Sequence, residues 1–257
     1  MSEDPKRTVQ AQFGRQASSY ATSRVHRHAA GLAEVVRLAS PFPQALTLDL
    51  ATGAGFTALA MAPRCRRVIG LDLTFGMVRE ARRLAGEEGI TNLMFCLGDA
   101  DAVPFADSAF NLVTCRHAAH HFPDLPRAIS EMARVVKPGG RVVVDDTCAP
   151  EDPALAALMN GWEVRRDPSH VANHPPSRLR ALLEAGGLTV EAATVTYIPL
   201  EFDDWVRRSG VPADDAAALR TSFLQAPAEA RAAFRIETRD GDVRFAWDEI
   251  ILLGIKR

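Results

Sequence analysis

Short apolar runs, each closing on a polar or glycine residue, constrain this chain more than any other feature. Leu46–Leu50 carries Asp49 near its end and runs into Ala51-Thr52-Gly53-Ala54-Gly55. Val68–Leu73 contains Asp72, Leu93–Leu97 precedes Gly98-Asp99-Ala100, Phe110–Cys115 precedes Arg116-His117, and Arg141–Asp145 holds Val142, Val143 and Val144. The intervals read as helices: a small-residue stretch from Phe56 to Ala62, a stripe of Met77, Ala81 and Leu84, and another of Ile129, Met132 and Val136 closed by Lys137-Pro138-Gly139-Gly140. Nearly continuous apolar strands do not suit a sheet with one wet face. They predict a largely parallel sheet covered on both sides, and the alternation of strand with helix predicts a doubly wound α/β core.

The rest of the chain is organised around that core. Residues 1–12 read as loose, and Phe13 to Leu38 as helical with irregular breaks, stopped by Ser40-Pro41-Phe42-Pro43. After the fifth strand, Ala149 to His174 reads as an insertion with a helix at Ala154 to Val164. A helix from Ser177 to Ala185 with Gly186-Gly187 at its end follows, then a strand at Thr189 to Tyr197, a polar helical region reaching Arg239, and a closing strand at Val243 to Gly254. The expected organisation is a single domain over residues 1–257 with a mostly parallel seven-stranded sheet. Residues 1–40 form an N-terminal helical lid, 45–148 the cofactor-binding core, and 149–175 with 199–240 helical cap insertions.

Composition narrows the function classes. At 257 residues, 47% hydrophobic and 24% charged, the chain has the make-up of an ordinary folded domain. Thirty basic against thirty-two acidic residues give a formal charge of -2, and clusters such as Arg64, Arg66, Arg67 are interrupted, so a nucleic-acid substrate is not expected. Cys65, Cys96, Cys115 and Cys148 lack zinc-like spacing. No apolar run approaches the ~18 residues of a membrane span and the polar start has no signal-peptide core. The expectation is a cytoplasmic protein, monomeric or homodimeric, without stable membrane insertion.

Open parallel sheets bind ligands beyond the carboxyl ends of their strands, where this chain places Asp49, Gly53, Gly55, Asp72, Asp99, Arg116 and His117. A glycine after an apolar strand allows close backbone approach, and an acid ending the next strand can accept two ribose hydroxyls. This is a nucleoside-binding constellation. Gly53-x-Gly55-x-x-Ala58 with Asp72 also satisfies the dinucleotide fingerprint. Asp49, however, would place negative charge near a pyrophosphate, whereas a sulfonium cofactor without phosphate tolerates the acidic rim. A Tyr-x-x-x-Lys hydride site is absent from the sequence.

The motifs Leu48-Asp49-Leu50-Ala51-Thr52-Gly53-Ala54-Gly55, Gly70-Leu71-Asp72-Leu73-Thr74, Gly98-Asp99-Ala100 with Val103-Pro104-Phe105, Ala109-Phe110-Asn111-Leu112-Val113 and Arg134-Val135-Val136-Lys137-Pro138-Gly139-Gly140 stand in order over residues 45–145. Together they resemble the class I S-adenosylmethionine-dependent methyltransferases, especially the branch of the ubiquinone/menaquinone-biosynthesis methyltransferases. The resemblance implies S-adenosyl-L-methionine as cofactor. It implies Asp49 near the methionine portion, Gly53 and Gly55 close to the cofactor, Asp72 on the ribose hydroxyls, Leu73 on the adenine, and Asp99 with Ala100 at the adenine's amino edge, with Ala51 and Arg116 completing the set. Ala51 stands where the family has its first glycine and Asn111 where it often has aspartate; alanine is tolerated if φ is negative there. Tyr20, Ser23 and His26 resemble the family's lid.

On the acceptor side, His117, His120, His121 and Asp124 invite a metal, but adjacent histidines diverge, and no metal is expected. An imidazole there suits proton removal from a hydroxyl or acidic ring carbon. Arg165-Arg166-Asp167-Pro168-Ser169-His170 offers a second set, which the resemblance also supports. The expected catalytic residues are His117 and His170 as bases and Arg165 as acceptor anchor. Phe13, Tyr20, Phe122, Trp162, Tyr197, Phe202 and Trp205 are candidates to line a pocket. The reading is in-line methyl transfer to a small-molecule acceptor, quinone-like or aromatic. An NAD-dependent oxidoreductase and a non-catalytic nucleoside-binding module remain the alternatives.

Overall fold

The computed structural model describes residues 4–21, 30–239 and 241–257. Its strands are β1 (Leu46–Leu50), β2 (Arg67–Asp72), β3 (Leu93–Leu97), β4 (Phe110–Arg116), β5 (Val136–Thr147), β6 (Leu188–Glu201), β7 (Glu237–Arg239) and β8 (Asp242–Lys256). Seven of them form one sheet in the order β3-β2-β1-β4-β5-β8-β6, and the short β7 pairs beside it with β8. The first five run parallel, while β8 lies antiparallel between β5 and β6. Strand order reverses between β1 and β4, the place where such sheets open a crevice. The doubly wound, mostly parallel class expected from the apolar runs is the observed class.

Helices α1 (Pro5–Ala21), α2 (Ala30–Ala39), α3 (Phe56–Met61), α4 (Phe75–Glu87), α5 (Leu125–Val135), α6 (Pro153–Arg166) and α7 (Pro176–Ala185) precede β6. Between β6 and β7 lie α8 (Phe202–Ser209), α9 (Ala213–Leu224) and α10 (Ala228–Ala233). Helix starts are set by side-chain caps where a strand end must turn: Asp124 accepts from Arg127 N–H at α5, and Asp152 from Ala154 and Leu155 N–H at α6. One sheet face buries Leu48, Val113, Val142, Ile250 and Leu252. The other buries Val68, Phe95, Leu112, Val143 and Ile251 against α2, α3 and α4.

A third apolar cluster joins α6 to the α8–α10 segment through Trp162, Phe202, Trp205, Phe223 and Trp247. Trp162 stacks on Phe223 with ring centroids 4.1 Å apart. Trp162 and Phe202 are therefore core residues, 2% and 1% exposed, and not the pocket aromatics that their positions at element ends suggested.

Other expectations are corrected. Of the first dozen residues, read as loose, 5–12 are helical: α1 begins at Pro5 and packs on α4, where a Cβ added to Gly76 would lie 3.4 Å from Ala17 and 3.5 Å from the Gly14 carbonyl. Polar α1 depends on that seat for its helicity, since isolated helices of its length are marginal. Lys137-Pro138-Gly139-Gly140 ends α5 as expected but also opens β5, with a register shift against β4 and Gly139 at φ 74°. The two last long strands exceed their predicted spans, because pairing with each other carries them past the apolar core. Ser23 and His26 lie outside the described residues. Among the described residues no helix is long and apolar enough to cross a membrane.

The third cluster makes a stability prediction. Replacing Trp162 by Ala leaves a cavity beside Phe223, Phe234 and Trp247 and should cost about 3–5 kcal/mol in urea unfolding. A cost below ~1 kcal/mol would mean that this cluster does not couple α6 to the α8–α10 segment.

Candidate functional site

The turn between β1 and α3 lies at the point where strand order reverses, and two buried carboxylates hold it. Asp49, on β1, accepts the Thr52 hydroxyl at 2.5 Å and the Thr114 hydroxyl at 2.7 Å. Asp72, at the end of β2, accepts Gly53 N–H and Thr74 N–H, each at 2.8 Å. Burial pushes Asp49 up to about 6 against the pull of its two hydroxyl donors, and burial likewise raises Asp72 against its backbone donors. Both are ionisable acids whose oxygens are held by N–H and O–H groups and not by cations.

A cavity of about 1040 Å³ opens over this turn, lined by Ala51, Thr52, Gly53, Asp72, Leu73, Gly98, Asp99, Ala100 and Arg116 among others. Eight of the nine expected cofactor-binding residues therefore fall into two groups: Ala51, Gly53, Asp72, Leu73, Asp99, Ala100 and Arg116 on the wall, and Asp49 behind it, 1% exposed. The ninth, Gly55, is also off the wall. It adopts φ 87°, and a Cβ there would meet Phe95 at 3.0 Å and Ala81 at 3.1 Å, so it serves helix–sheet packing. Gly53, at φ 55°, has nothing within 4 Å of an added Cβ and faces open space. Lys6 of α1 reaches across to Asp99 and Asp101, 2.6 Å from each. Sequence reasoning missed it because it lay in the stretch read as loose.

Ala51 departs from expectation. Its φ is +52°, not negative, so the one position where a methyl group replaces the family's glycine sits in the left-handed region.

A second cavity of about 610 Å³ abuts the first, and Phe13, Tyr20, His117 and His121 line both. The four-histidine neighbourhood is sorted by hydrogen bonds. His117, at φ 51°, uses both ring nitrogens: Nε2 bonds Glu249 at 2.7 Å and Nδ1 lies 3.3 Å from Arg116. Burial, with Arg116 adding to it, lowers its pKa. His170 bonds Asn160 Oδ1 through Nε2 at 2.8 Å, lines neither cavity, and is driven by burial down to about 3. His121 Nδ1 donates to the Ser169 carbonyl at 3.0 Å, and burial holds it at about 3. His120 differs. Its Nδ1 meets Asp146 Oδ1 at 2.6 Å, its backbone N–H donates to Asp146 Oδ2 at 2.9 Å, and its Nε2 makes no hydrogen bond among the described residues. Burial acts to lower His120, but the Asp146 carboxylate outweighs it and the net direction is up, with Asp146 correspondingly lowered despite its own burial. The geometry therefore does not favour His117 or His170 as a base, and brings forward His120, whose partner lies 26 residues away on the next strand.

Arg165 is likewise displaced from its expected role. It is exposed and its Nη1 reaches Ser222 at 3.3 Å, whereas Arg166 lines the second cavity. Phe13, Tyr20 and Phe122 line the first cavity and Trp205 the second, while Tyr197 is 54% exposed under the Arg235 guanidinium. Asp124 is spent as the α5 cap.

Behind His117 lie Asp145 and Glu249, and the donor atoms of these three lie within 4.8 Å of one another. Among the described residues neither Asp145 oxygen receives an N–H or hydroxyl donor. Burial and the neighbouring Glu249 charge push Asp145 well above the ordinary carboxylate range, so this group takes a proton while Glu249, against its own burial, is held low by His117. A shared proton and the Arg116 charge balance the cluster.

Comparison with known proteins shows the chain's family. A family profile described as "Methyltransferase domain" matches residues 48–144. The chain is 36% identical over 252 residues to the "Uncharacterized methyltransferase YcgJ" of Bacillus subtilis (strain 168), covering 97% of this chain and 100% of that one. The crystal structure of the Bacillus subtilis YcgJ protein superposes with a TM-score of 0.86 at 38% identity, covering 90% of this chain and 99% of that one. A demethylmenaquinone methyltransferase of Thermus thermophilus is 34% identical over 170 residues, 58% of this chain and 77% of that one.

The Ala51 backbone yields a prediction. A left-handed non-glycine residue costs ~1–2 kcal/mol, part of which glycine returns as unfolded-chain entropy. Ala51→Gly should therefore raise stability by up to ~1 kcal/mol, read as a higher urea midpoint with unchanged slope. A destabilised Ala51→Gly protein would mean the methyl group makes contacts worth more than the strain.

Proposed function

The chain belongs to the class I S-adenosylmethionine-dependent methyltransferases, closely related to the demethylmenaquinone and ubiquinone/menaquinone methyltransferases, and from that premise we propose that its acceptor is a quinone-like or aromatic molecule seated in the second cavity. It is an enzyme that uses S-adenosylmethionine to methylate a small organic molecule. The observation that carries the acceptor reading is the abutment of the two cavities, with His120 on the wall of the second.

The first cavity suits the cofactor on its own geometry. Gly53 leaves room that a side chain would fill, Asp72 keeps lone pairs beyond its two backbone donors for the ribose hydroxyls, and Leu73 and Ala100 supply apolar contact for a base. Asp99 addresses the adenine edge with Lys6 as its partner, and Arg116 faces the methionine end. Asp49 and Gly55 act through the turn, shaping it from behind. In this reading residues 1–40 form the lid, fastened by Lys6 and by Gln10 Nε2 on the Leu73 carbonyl at 3.1 Å, and 149–175 with 199–240 form the cap.

The bound cofactor supplies an electrophilic methyl group on a sulfonium. The protein must align the acceptor with it at roughly 3–3.5 Å and keep water out, a task for Phe13, Tyr20 and the cap aromatics. A hydroxyl or acidic ring carbon must also lose a proton. Asp146 fixes the His120 Nδ1 tautomer and leaves Nε2 to take that proton. Several relatives named as demethylmenaquinone methyltransferases fit an acceptor of this kind.

Because Asp146 holds His120 above 6.5 against the effect of burial, the base form gains population only as pH climbs past that value. By the same sign, the stability this pair contributes is complete below the ordinary histidine range and is lost as pH rises through the raised value. Turnover with quinone-like acceptors, followed as gain of one methyl by mass spectrometry, should rise with pH to a plateau. His120→Ala should lower it on the order of 10²-fold and erase the rising limb, with S-adenosylhomocysteine affinity within about twofold. An intact limb in that variant would remove His120 from the chemistry. Asp72→Ala should weaken S-adenosylhomocysteine binding by roughly 1.5–3 kcal/mol, the scale of hydrogen bonds to a charged group; calorimetry showing no loss would place the ribose elsewhere.

A further inference from the structure

The far wall of the second cavity carries two buried cations. Arg166, at the end of α6, and Arg208, on α8, both line it, with side chains 13% and 15% exposed. The acids around them are committed. Glu163 receives Trp247 Nε1–H at 2.6 Å on one oxygen and Arg166 at 2.9 Å on the other, and Asp167 receives the Ser169 N–H and hydroxyl at 2.9 and 2.6 Å. Arg166 further donates Nε–H to the Trp205 carbonyl at 3.2 Å and lies 5.2 Å over the Trp205 ring.

Arg208 is less engaged. Its contacts run through Nε, to the Asp204 carboxylate at 2.9 Å and the Asp204 carbonyl at 3.4 Å. Among the described residues its two terminal amino groups make no hydrogen bond, leaving a planar fork of donors in a partly dry place. Trp205 adds to the deficit, since its indole N–H is buried with no acceptor among the described residues. Burial and then the neighbouring Arg166 act against the charge on Arg208, and they outweigh the Asp204 and Glu163 carboxylates that favour it. Buried donors left unmatched cost stability, and a guanidinium fork matches a carboxylate in two parallel hydrogen bonds.

We propose that Arg208, backed by Arg166 and the Trp205 indole, forms an anion subsite, and that the methyl acceptor is a planar ring bearing a carboxylate. The proposal rests on reading the second cavity as the acceptor's. Trp205 and Trp247 offer flat apolar wall to the ring, the fork takes the carboxylate, and His120 lines the same cavity.

The test uses 2-naphthoate and its neutral counterpart 2-naphthamide, titrated calorimetrically into the full-length protein loaded with S-adenosylhomocysteine. Naphthoate should bind at least about tenfold more tightly than naphthamide. Arg208→Gln should bring naphthoate down to the level of naphthamide, and Arg208→Lys, which keeps the charge but not the fork, should retain only part of the preference. S-adenosylhomocysteine should bind both variants within about twofold of the unaltered chain, which also reports that they are folded. Equal affinity for the two probes, no naphthoate binding, or an undiminished preference in Arg208→Gln overturns the subsite and leaves the cofactor reading standing. Failure of the unaltered chain to bind S-adenosylhomocysteine overturns that reading first and the subsite with it.

Discussion

Two carboxylates that never leave the protein's interior, Asp49 and Asp72, hold the turn on which the rest of the site depends. A tight turn at the mouth of a parallel sheet exposes backbone N–H groups with no ladder to join. Here Asp72 takes Gly53 N–H and Thr74 N–H, Asp49 fixes Thr52 through its hydroxyl, and Thr52 N–H continues to the Leu71 carbonyl at 3.0 Å. The turn is thus tied to β1 and β2 at once. It tolerates Ala51 in a left-handed conformation because the surroundings over-determine it. Burial raises both acids, and hydrogen-bond donors oppose it at each, with the Arg116 charge adding a smaller pull at Asp49, so fixed dipoles do most of the stabilising. Such an environment suits a cofactor whose own charge is positive better than one carrying phosphates.

Away from that turn the electrostatics change character. The second cavity is bordered by charge pairs: His120 with Asp146, Arg166 with Glu163, Arg208 with Asp204. Between the two regions His117 is clamped by Glu249 and Arg116 with a strained backbone, a better description of a wall than of a reacting group. A histidine with both nitrogens engaged cannot accept a proton without breaking a buried hydrogen bond. One with Nδ1 held and Nε2 open can, and this difference, more than proximity, separates His117 from His120.

The sheet was legible in the sequence where short apolar-rich runs stand between turn residues. Leu46–Leu50 and Leu93–Leu97 read to the residue because Pro43 and Gly53 or Asn92 and Gly98 bracket them, although only β1 is buried and Met94 and Leu97 of the edge strand β3 are exposed. Helix α1 was not legible, since its residues are polar and its helicity comes from the Gly14 and Ala17 seat on Gly76. The lining of the first cavity was readable because its residues follow strand ends in order. The acceptor side was not, for two geometric reasons. Arg165 and Arg166 are adjacent, but successive residues on a helix point about 100° apart, so a motif locates the pair and not the member that faces inward. His120 gains its role from Asp146, and no local pattern announces a partner on another strand.

The adjacent acids Asp145 and Asp146 show how strand parity assigns those distant partners. Successive side chains on a strand point to opposite faces. Asp145 pairs across β8 with Ile251, which belongs to the core face packed by α2, α3 and α4, and so it meets Glu249, two residues along on that same face. Asp146 pairs with Ile250, on the opposite face, where His120 waits. One acid therefore takes a proton beside a second carboxyl while its neighbour stays ionised against an imidazole. A slip of one residue between β5 and β8 would exchange the two environments, protonating the acid that must orient His120. The register of β5 on β8, unbroken from Arg141–Ile255 to Thr147–Glu249, fixes that parity, so the pairing that closes the sheet also decides which acid meets His120.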